Sequence, residues 1–390
     1  MDLENSISDL LQQLDSLLNS TSQSWLFGAG TSFESGIPLM GALTKQVIAT
    51  TTDDLHRQAL QEIRDELDEA CHIEHILSHI ADCRAIAERC RSKEVSFGDT
   101  RLDLDTLDEF HRRLLSSIAK IVRWGYVESS GEEHPERIGT ATNPIVAIRD
   151  QVAFVRAVFS HRQKNISERC HPVTLFTTNY DTLIEDALAL ECIPYWDGFE
   201  GGAVAFRSFR FRDNSPVAGI RAHVVKLHGS IDWHLSEDGR VWRIRDSDSY
   251  PEHNSRVLIY PQSTKYVATQ RDPFASQFDL FRRTVGDREE NLLGICGYSF
   301  GDDHINQEIQ LAMDQDGNKT TILAFSSEIN SVLAEWGERD WRKRLYVITE
   351  NGIYVGGEGP FVKPPPDRKH DWWTLQGVTR LLQNGPEACI

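Results

Sequence analysis

Four short stretches of this 390-residue chain join small residues to polar side chains of the kinds that handle phosphates, sugar hydroxyls or protons. They are Gly28-Ala29-Gly30-Thr31-Ser32, Asn179-Tyr180-Asp181, His228-Gly229-Ser230, and the longer run Gly297-Tyr298-Ser299-Phe300-Gly301-Asp302-Asp303. Glycines permit close backbone approach, so amides and the positive end of a following helix can face an anion. An Asn side chain offers a donor and an acceptor to a hydroxyl or a water. A histidine titrates near neutrality when unperturbed and can take a proton from either. Asn179 and His228 are therefore the candidate catalytic residues. Gly28, Ala29, Gly30, Thr31, Ser32, Asp181, Gly297 and Ser299 are the candidates for ligand binding, with Asp181 orienting a sugar or bracing the Asn179 turn. Asp302 and Asp303 read as caps of the next helix.

Each stretch follows a short apolar run, at 24–27, 173–178, 223–228 and 292–296. Further strand-like runs lie at 257–260, 321–325 and 345–349, and helical patterns at 180–190, 273–285, 303–314 and 328–338. Buried strands alternating with helices predict an α/β fold, a doubly wound, mostly parallel Rossmann-like sheet, with ligands beyond the carboxyl ends of its strands. Ile7, Leu10, Leu11, Leu14, Leu17 and Leu18 form one helical stripe, and Pro38 suits the first turn of a helix running to about residue 50.

Between 51 and 169 strand signals vanish, and helical periodicity dominates at 54–70, 72–92, 104–124 and 144–165, with a loop at 129–143. The expected organisation is a discontinuous sheet domain (1–50 and 170–350), a large helical insertion (51–169), and a C-terminal linker and helix (351–390). Residues 196–222 and 232–256 read as long loops.

The charge balance is 41 basic against 59 acidic residues, a net −18. That disfavours sequence-independent binding to a phosphate backbone, and Arg207, Arg210, Arg212 and Arg221 read as a solvated loop face. No apolar run approaches the roughly 18 residues of a membrane span, and no signal-peptide pattern opens the chain. Seven cysteines without a C-x-x-C pair indicate neither a disulfide framework nor a cysteine zinc site, and point to a reducing cytoplasm. Cys71, His72, His75, His79 and Cys83 fall on one predicted helix, but nothing ties a further ligand to them, so no metal is expected.

The glycine loop is an incomplete dinucleotide fingerprint, because Phe33 stands at the third glycine position and the next glycine is Gly36. In context, GAGTSFESGIP resembles the opening motif of sirtuins, the silent-information-regulator family. TTNYD resembles that family's T-x-N-x-D segment, LHGS its catalytic His-Gly segment, and GYSFGDDHI its late Gly-x-Ser motif in the form of bacterial sirtuin-like proteins. The resemblance covers about 22–50 and 170–350. It implies NAD as ligand and substrate, Gly297 and Ser299 holding the adenosine half, and chemistry at the nicotinamide–ribose bond.

Two departures redirect the expected activity. Sirtuin deacylases carry two Cys pairs around a structural zinc, which this chain lacks, and Leu39-Met40 stand where the family has Phe-Arg. Water then becomes the acceptor, giving an NAD glycohydrolase similar to the sirtuin-like effectors of bacterial antiphage defence. The resemblance further implies a homo-oligomer gated by a HerA-type P-loop ATPase, since the chain has no P-loop of its own. The N-terminal leucine stripe and Trp372-Trp373 are candidate interfaces, although a stripe of this kind more often packs as ordinary core. Alternatives are a non-enzymatic sensor of NAD or ADP-ribose, a deacylase or ADP-ribosyltransferase, and a nuclease within a complex. No sequence-specific nucleic-acid or membrane contact is expected.

Overall fold

Apolar runs too short to make helices, and apolar on both sides, build the centre of the protein. The structure, a computed structural model, describes residues 2–129, 136–161, 172–208, 219–236, 239–245, 255–258 and 273–389. Its strands are, in chain order, β1 (Gln23–Phe27), β2 (Glu94–Phe97), β3 (Thr100–Asp103), β4 (Tyr126–Val127), β5 (Arg137–Ile138), β6 (Val173–Thr177), β7 (Tyr195–Trp196), β8 (Phe199–Gly201) and β9 (Val204–Arg207). They continue with β10 (Ala222–Lys226), β11 (Gly229–Leu235), β12 (Val241–Ile244), β13 (Ser255–Leu258), β14 (Asn291–Cys296), β15 (Thr320–Phe325), β16 (Leu345–Thr349), β17 (Gly352–Val355) and β18 (Glu358–Phe361).

Nine of these form one sheet in the order β18-β17-β16-β15-β14-β1-β6-β10-β7. It is parallel from β7 to β16, with β17 and β18 added antiparallel at the edge. Every residue of β1, β6, β14 and β16 is buried. Successive residues face opposite layers: Trp25, Phe27, Leu175, Val224 and Leu292 enter one apolar cluster, Leu26, Phe176, Val225 and Leu293 the other. That is the doubly wound α/β arrangement expected from the strand and helix pattern.

The first layer contains α1 (Asp2–Leu18), whose Leu11, Leu14 and Leu18 are buried against the sheet together with Trp372. The leucine stripe is thus spent on the protein's own core, the commoner of its two expected uses, and not on an interface. Helices Phe274–Val285, Asp303–Met313 and Ser331–Trp336 supply the other layer.

After β1 the chain makes a short helical turn, α2 (Gly30–Phe33), then α3 (Met40–Ala49), with Pro38 just ahead of the N-cap Leu39. α4 (Asp54–Glu66), α5 (Ile73–Arg89) and α6 (Leu104–Trp124) pack with α3 around a third apolar cluster, which reaches the strand ends through Leu183 and Ile231. Two hairpins, β2–β3 and β4–β5, interrupt this helical stretch where no strand was expected. The helix α7 (Arg149–Arg156) and the turn after it instead cover the main sheet through Phe154, Val155 and Phe159.

The expected long loops at 196–222 and 232–256 need correcting. A five-stranded antiparallel sheet, ordered β13-β11-β12-β9-β8, occupies much of them. Its core residues Phe199 and Trp233 pack at 5.1 Å between ring centres. The strand expected at 257–260 is β13 of this sheet, and its last two residues lie outside the described residues. Among the described residues, no helix is long and apolar enough to cross a membrane.

Candidate active site

Strands β1 and β6 lie side by side, yet the chain later returns to place β14 on the other flank of β1. At such a reversal two strand ends diverge and leave a crevice, the usual place for a ligand in an open parallel sheet. A cleft of about 680 Å³ opens there, inside the range of small-molecule sites. Ala29, Gly30, Ser32, Asn179, Asp181, His228, Gly297 and Ser299 all line it, so the four sequence stretches meet in space. Gly28 and Thr31 do not line it and act from behind.

The bare backbone of the first loop has a packing reason. A Cβ on Gly28 would stand 2.6 Å from the Gly297 carbonyl oxygen, and one on Gly297 would stand 2.4 Å from the Thr31 nitrogen. Gly297 also holds φ +64°, in the left-handed region that favours glycine. The two loops are therefore pressed backbone to backbone, with the Gly30 amide donating to the Gly297 carbonyl at 2.9 Å. The amides of Gly28, Thr31 and Ser32 likewise donate to backbone carbonyls. The expectation that glycine-loop amides face an anion is corrected for these four.

Asn179 anchors this corner. Its Nδ2 lies 3.0 Å from the Gly28 carbonyl, 3.2 Å from Thr31 Oγ1 and 3.0 Å from Ser32 Oγ. A carbonyl only accepts, and both hydroxyls spend their protons elsewhere: Thr31 on the Gly28 carbonyl, Ser32 on Asp181 Oδ2 at 2.8 Å. The amide orientation is thereby fixed, with its donors committed and Oδ1 left as the group it can offer. Asp181 also takes the Leu183 amide on Oδ1, so it braces the turn, the second of its two expected roles. Behind it, buried Gln151 joins Ser35 to the Thr31 carbonyl.

His228 sits in the two-residue link where the chain leaves β10 of the parallel sheet and enters β11 of the antiparallel one, a corner made by Gly229 at φ +83°. Its Nε2 lies 2.9 Å from Asp302 Oδ2, both side chains nearly buried. Asp302 Oδ1 meanwhile accepts from the His304 and Ile305 amides. Asp302 is thus the expected cap and something more, a carboxylate that orients the imidazole. With Nε2–H directed at Asp302, Nδ1 carries the free lone pair of the neutral ring. The cap signal hid this second role, because a pairing between distant strand ends leaves no local trace in sequence.

Residues absent from the sequence reading complete the cleft. Phe325 ends β15 and Ser326, Ser327, Glu328 and Asn330 follow it, at a carboxyl end that belongs beside the other four by the same rule. Trp373 lines it from the C-terminal segment. The opposite wall, Ile37, Leu39, Met40, Leu43 and Val122, comes from the helical region. That region is tied to the Asn179–Asp181 turn by Tyr180, whose hydroxyl donates to Glu74 Oε1 at 2.7 Å.

His72 also lines the cleft, because α5 begins after it rather than including it. Burial, with His75 3.9 Å away between ring centres, lowers its pKa to about 4. His79 pairs instead with Glu66, and no metal-holding group of three or more His, Cys, Asp or Glu occurs among the described residues. Cys71, Cys83, Cys90, Cys192 and Cys296 are free thiols, with the Cys296 thiol pushed up to about 12 by burial. Of the arginines read as a loop face, Arg207 binds the Ser276 hydroxyl and Arg221 lies over Phe159, while Arg210 and Arg212 are outside the described residues.

The family model described as the SIR2-like domain matches residues 173–346, a little under half of the chain, from β6 to the start of β16. Among solved structures, a Sir2 homologue in complex with NAD is similar at 12% identity and a TM-score of 0.40, over 97% of this chain and 95% of that one. A mutant Sir2 homologue in complex with ADP-ribose is similar at 12% identity and a TM-score of 0.38, over 95% and 96%. No match is found among curated proteins.

Proposed function

We propose that the chain hydrolyses NAD at the nicotinamide–ribose bond, releasing nicotinamide and ADP-ribose. The observation that carries this reading is the convergence on one cleft of Asn179, its amide donors committed, and His228, its imidazole aimed by Asp302. The SIR2-like match over the segment that contains both supports it. NAD supplies a glycosidic bond whose cleavage leaves an oxocarbenium-like ribose. The C1′–N bond breaks and its electron pair leaves with neutral nicotinamide. A water oxygen bonds to C1′, and its proton passes to His228 Nδ1 and then to solvent. Asn179 Oδ1 accepts from that water or from a ribose hydroxyl and holds it in line. Ser299, Ser326, Ser327 and Asn330 offer hydroxyl and amide partners to the sugar–phosphate part, and Trp373 offers a flat face to a base. The site residues from the four strand ends thus divide into a reacting pair and a binding shell.

The wider setting is a regulated cytoplasmic effector of bacterial antiphage defence that depletes NAD. Ungated hydrolysis would harm the host, so the reading includes a homo-oligomer controlled by a HerA-type ATPase, which supplies the P-loop this chain lacks.

The test is nicotinamide release from NAD by the purified chain, with and without such an ATPase, beside Asn179→Ala and His228→Ala. Release abolished by both substitutions is the expected result. NAD bound but uncleaved in every partner state overturns hydrolysis and leaves a sensor.

A further inference from the structure

The parallel sheet buries an ammonium group. Lys226, the last residue of β10, has a side chain only 2% exposed, and its Nζ lies 3.3 Å from Glu185 Oε1 on the helix α8 (Leu183–Leu190). The same Nζ donates to the backbone carbonyl of Asp181. The preceding carbonyl, of Tyr180, is held by the Ile231 amide at 3.0 Å and the Ser230 hydroxyl at 3.3 Å. Two consecutive carbonyls of the Asn179–Asp181 turn are thus clamped from β10 and β11, while the Asn179 amide reaches forward to Gly28.

Stability gives a poor account of this lysine. An ion pair taken out of water often gains less from its attraction than it loses in desolvation, so a well-packed apolar pair can replace it. The pair here fits that description: burial pushes the Glu185 carboxyl up to about 7 against the opposing pull of Lys226, with Asp232 adding to the rise. The neighbouring carboxylate Asp197 has its own cation in Arg243, at 2.6 Å, which leaves Lys226 to Glu185 and the carbonyl.

We propose that Lys226 is a positioning residue: its ammonium fixes the Asp181 carbonyl, and through that turn keeps Asn179 in register with His228, two residues beyond Lys226 on the same chain. The consequence for turnover rests on the hydrolase reading; the mechanical part does not.

The decisive variant is Lys226→Met with Glu185→Leu in the full chain, which removes the tether and replaces the ion pair with apolar side chains. It should melt no lower than the parent. Amide hydrogen exchange in a peptide spanning 178–182 should be about 10-fold faster, with core strand peptides unchanged. Nicotinamide release should fall roughly 10²-fold, the scale of a small misplacement of a reacting group. Glu185→Gln, which keeps the lysine and its carbonyl bond, should exchange and turn over like the parent. Parental exchange and turnover in the double variant overturn the proposal, as does a loss in Glu185→Gln that matches the double variant. If the parent chain releases no nicotinamide, the hydrolase reading falls and the exchange arm alone decides the role of Lys226. If the double variant does not fold, Lys226→Met alone is read on the same two arms: faster exchange over 178–182 with reduced turnover is the expected result, and parental exchange and turnover overturn the proposal.

Discussion

His228 Nε2 stands 2.9 Å from Asp302 Oδ2, joining the corner between the two sheets to the cap of the helix Asp303–Met313. One carboxylate therefore ends a helix with Oδ1 and aims an imidazole with Oδ2. A carboxylate on one ring nitrogen fixes the tautomer and leaves the lone pair on the other nitrogen, the one the proposed hydrolysis uses as a base.

The two jobs of Asp302 can be separated. Asparagine caps a helix about as well as aspartate, so Asp302→Asn should change the unfolding free energy by less than about 1 kcal/mol. It cannot stabilise the imidazolium, so turnover should drop on the order of 10²-fold or more, with ADP-ribose affinity within a few-fold of the parent. Steady-state kinetics with calorimetric binding checks this; an unchanged turnover would remove Asp302 from the site.

Glycines 297 and 41 make opposite predictions for the same substitution. Gly297→Ala forces a side chain into left-handed backbone, a cost of about 1–2 kcal/mol, and drives its methyl against the Thr31 nitrogen, so the total loss should be larger. Gly41 lies in the first turn of α3 with open space around its Cα, and alanine there should stabilise by up to about 1 kcal/mol. Urea unfolding of the two variants checks both signs.

His72 should make the fold acid-sensitive. Its pKa is about 4 when folded and about 6.5 when free, so between those values the unfolded chain binds the proton and the folded chain does not. The stability it contributes is complete above pH 6.5 and is lost as pH falls towards 4. His72→Gln should remove up to one proton from this linkage and flatten the urea midpoint between pH 4 and 6.5 relative to the parent. Parallel curves for the two proteins would contradict it.

Much of the site could be read before any coordinates. The runs at 24–27, 173–178, 223–228 and 292–296 each became a parallel strand to within a residue or two, because a strand buried on both faces is apolar along most of its length. Once those strands are parallel, their carboxyl ends share one edge, and Asn179, Asp181, His228 and Ser299 have to meet there. The fifth contributor, Ser326 to Asn330, was readable by the same rule.

The antiparallel sheet escaped the sequence for a reason visible in β9. Val204 and Phe206 point outward while Ala205 is buried, so a short four-residue strand carries too little periodicity to stand apart from a loop. The hairpin β2–β3, likewise four residues to a side, was lost within helical surroundings.

The amino-acid sequence by itself determined the local facts: which runs are apolar enough to bury, where glycine is needed, and which polar residues end each strand. These follow from neighbours along the chain. The tertiary structure alone decided which polar groups pair: Asp302 with His228, the Asn179 amide with the Gly28 carbonyl, Lys226 with the Asp181 carbonyl, and the leucines of α1 with the sheet. Such pairs depend on strand order and register, which arise from the packing of the whole core and leave no imprint on any single segment.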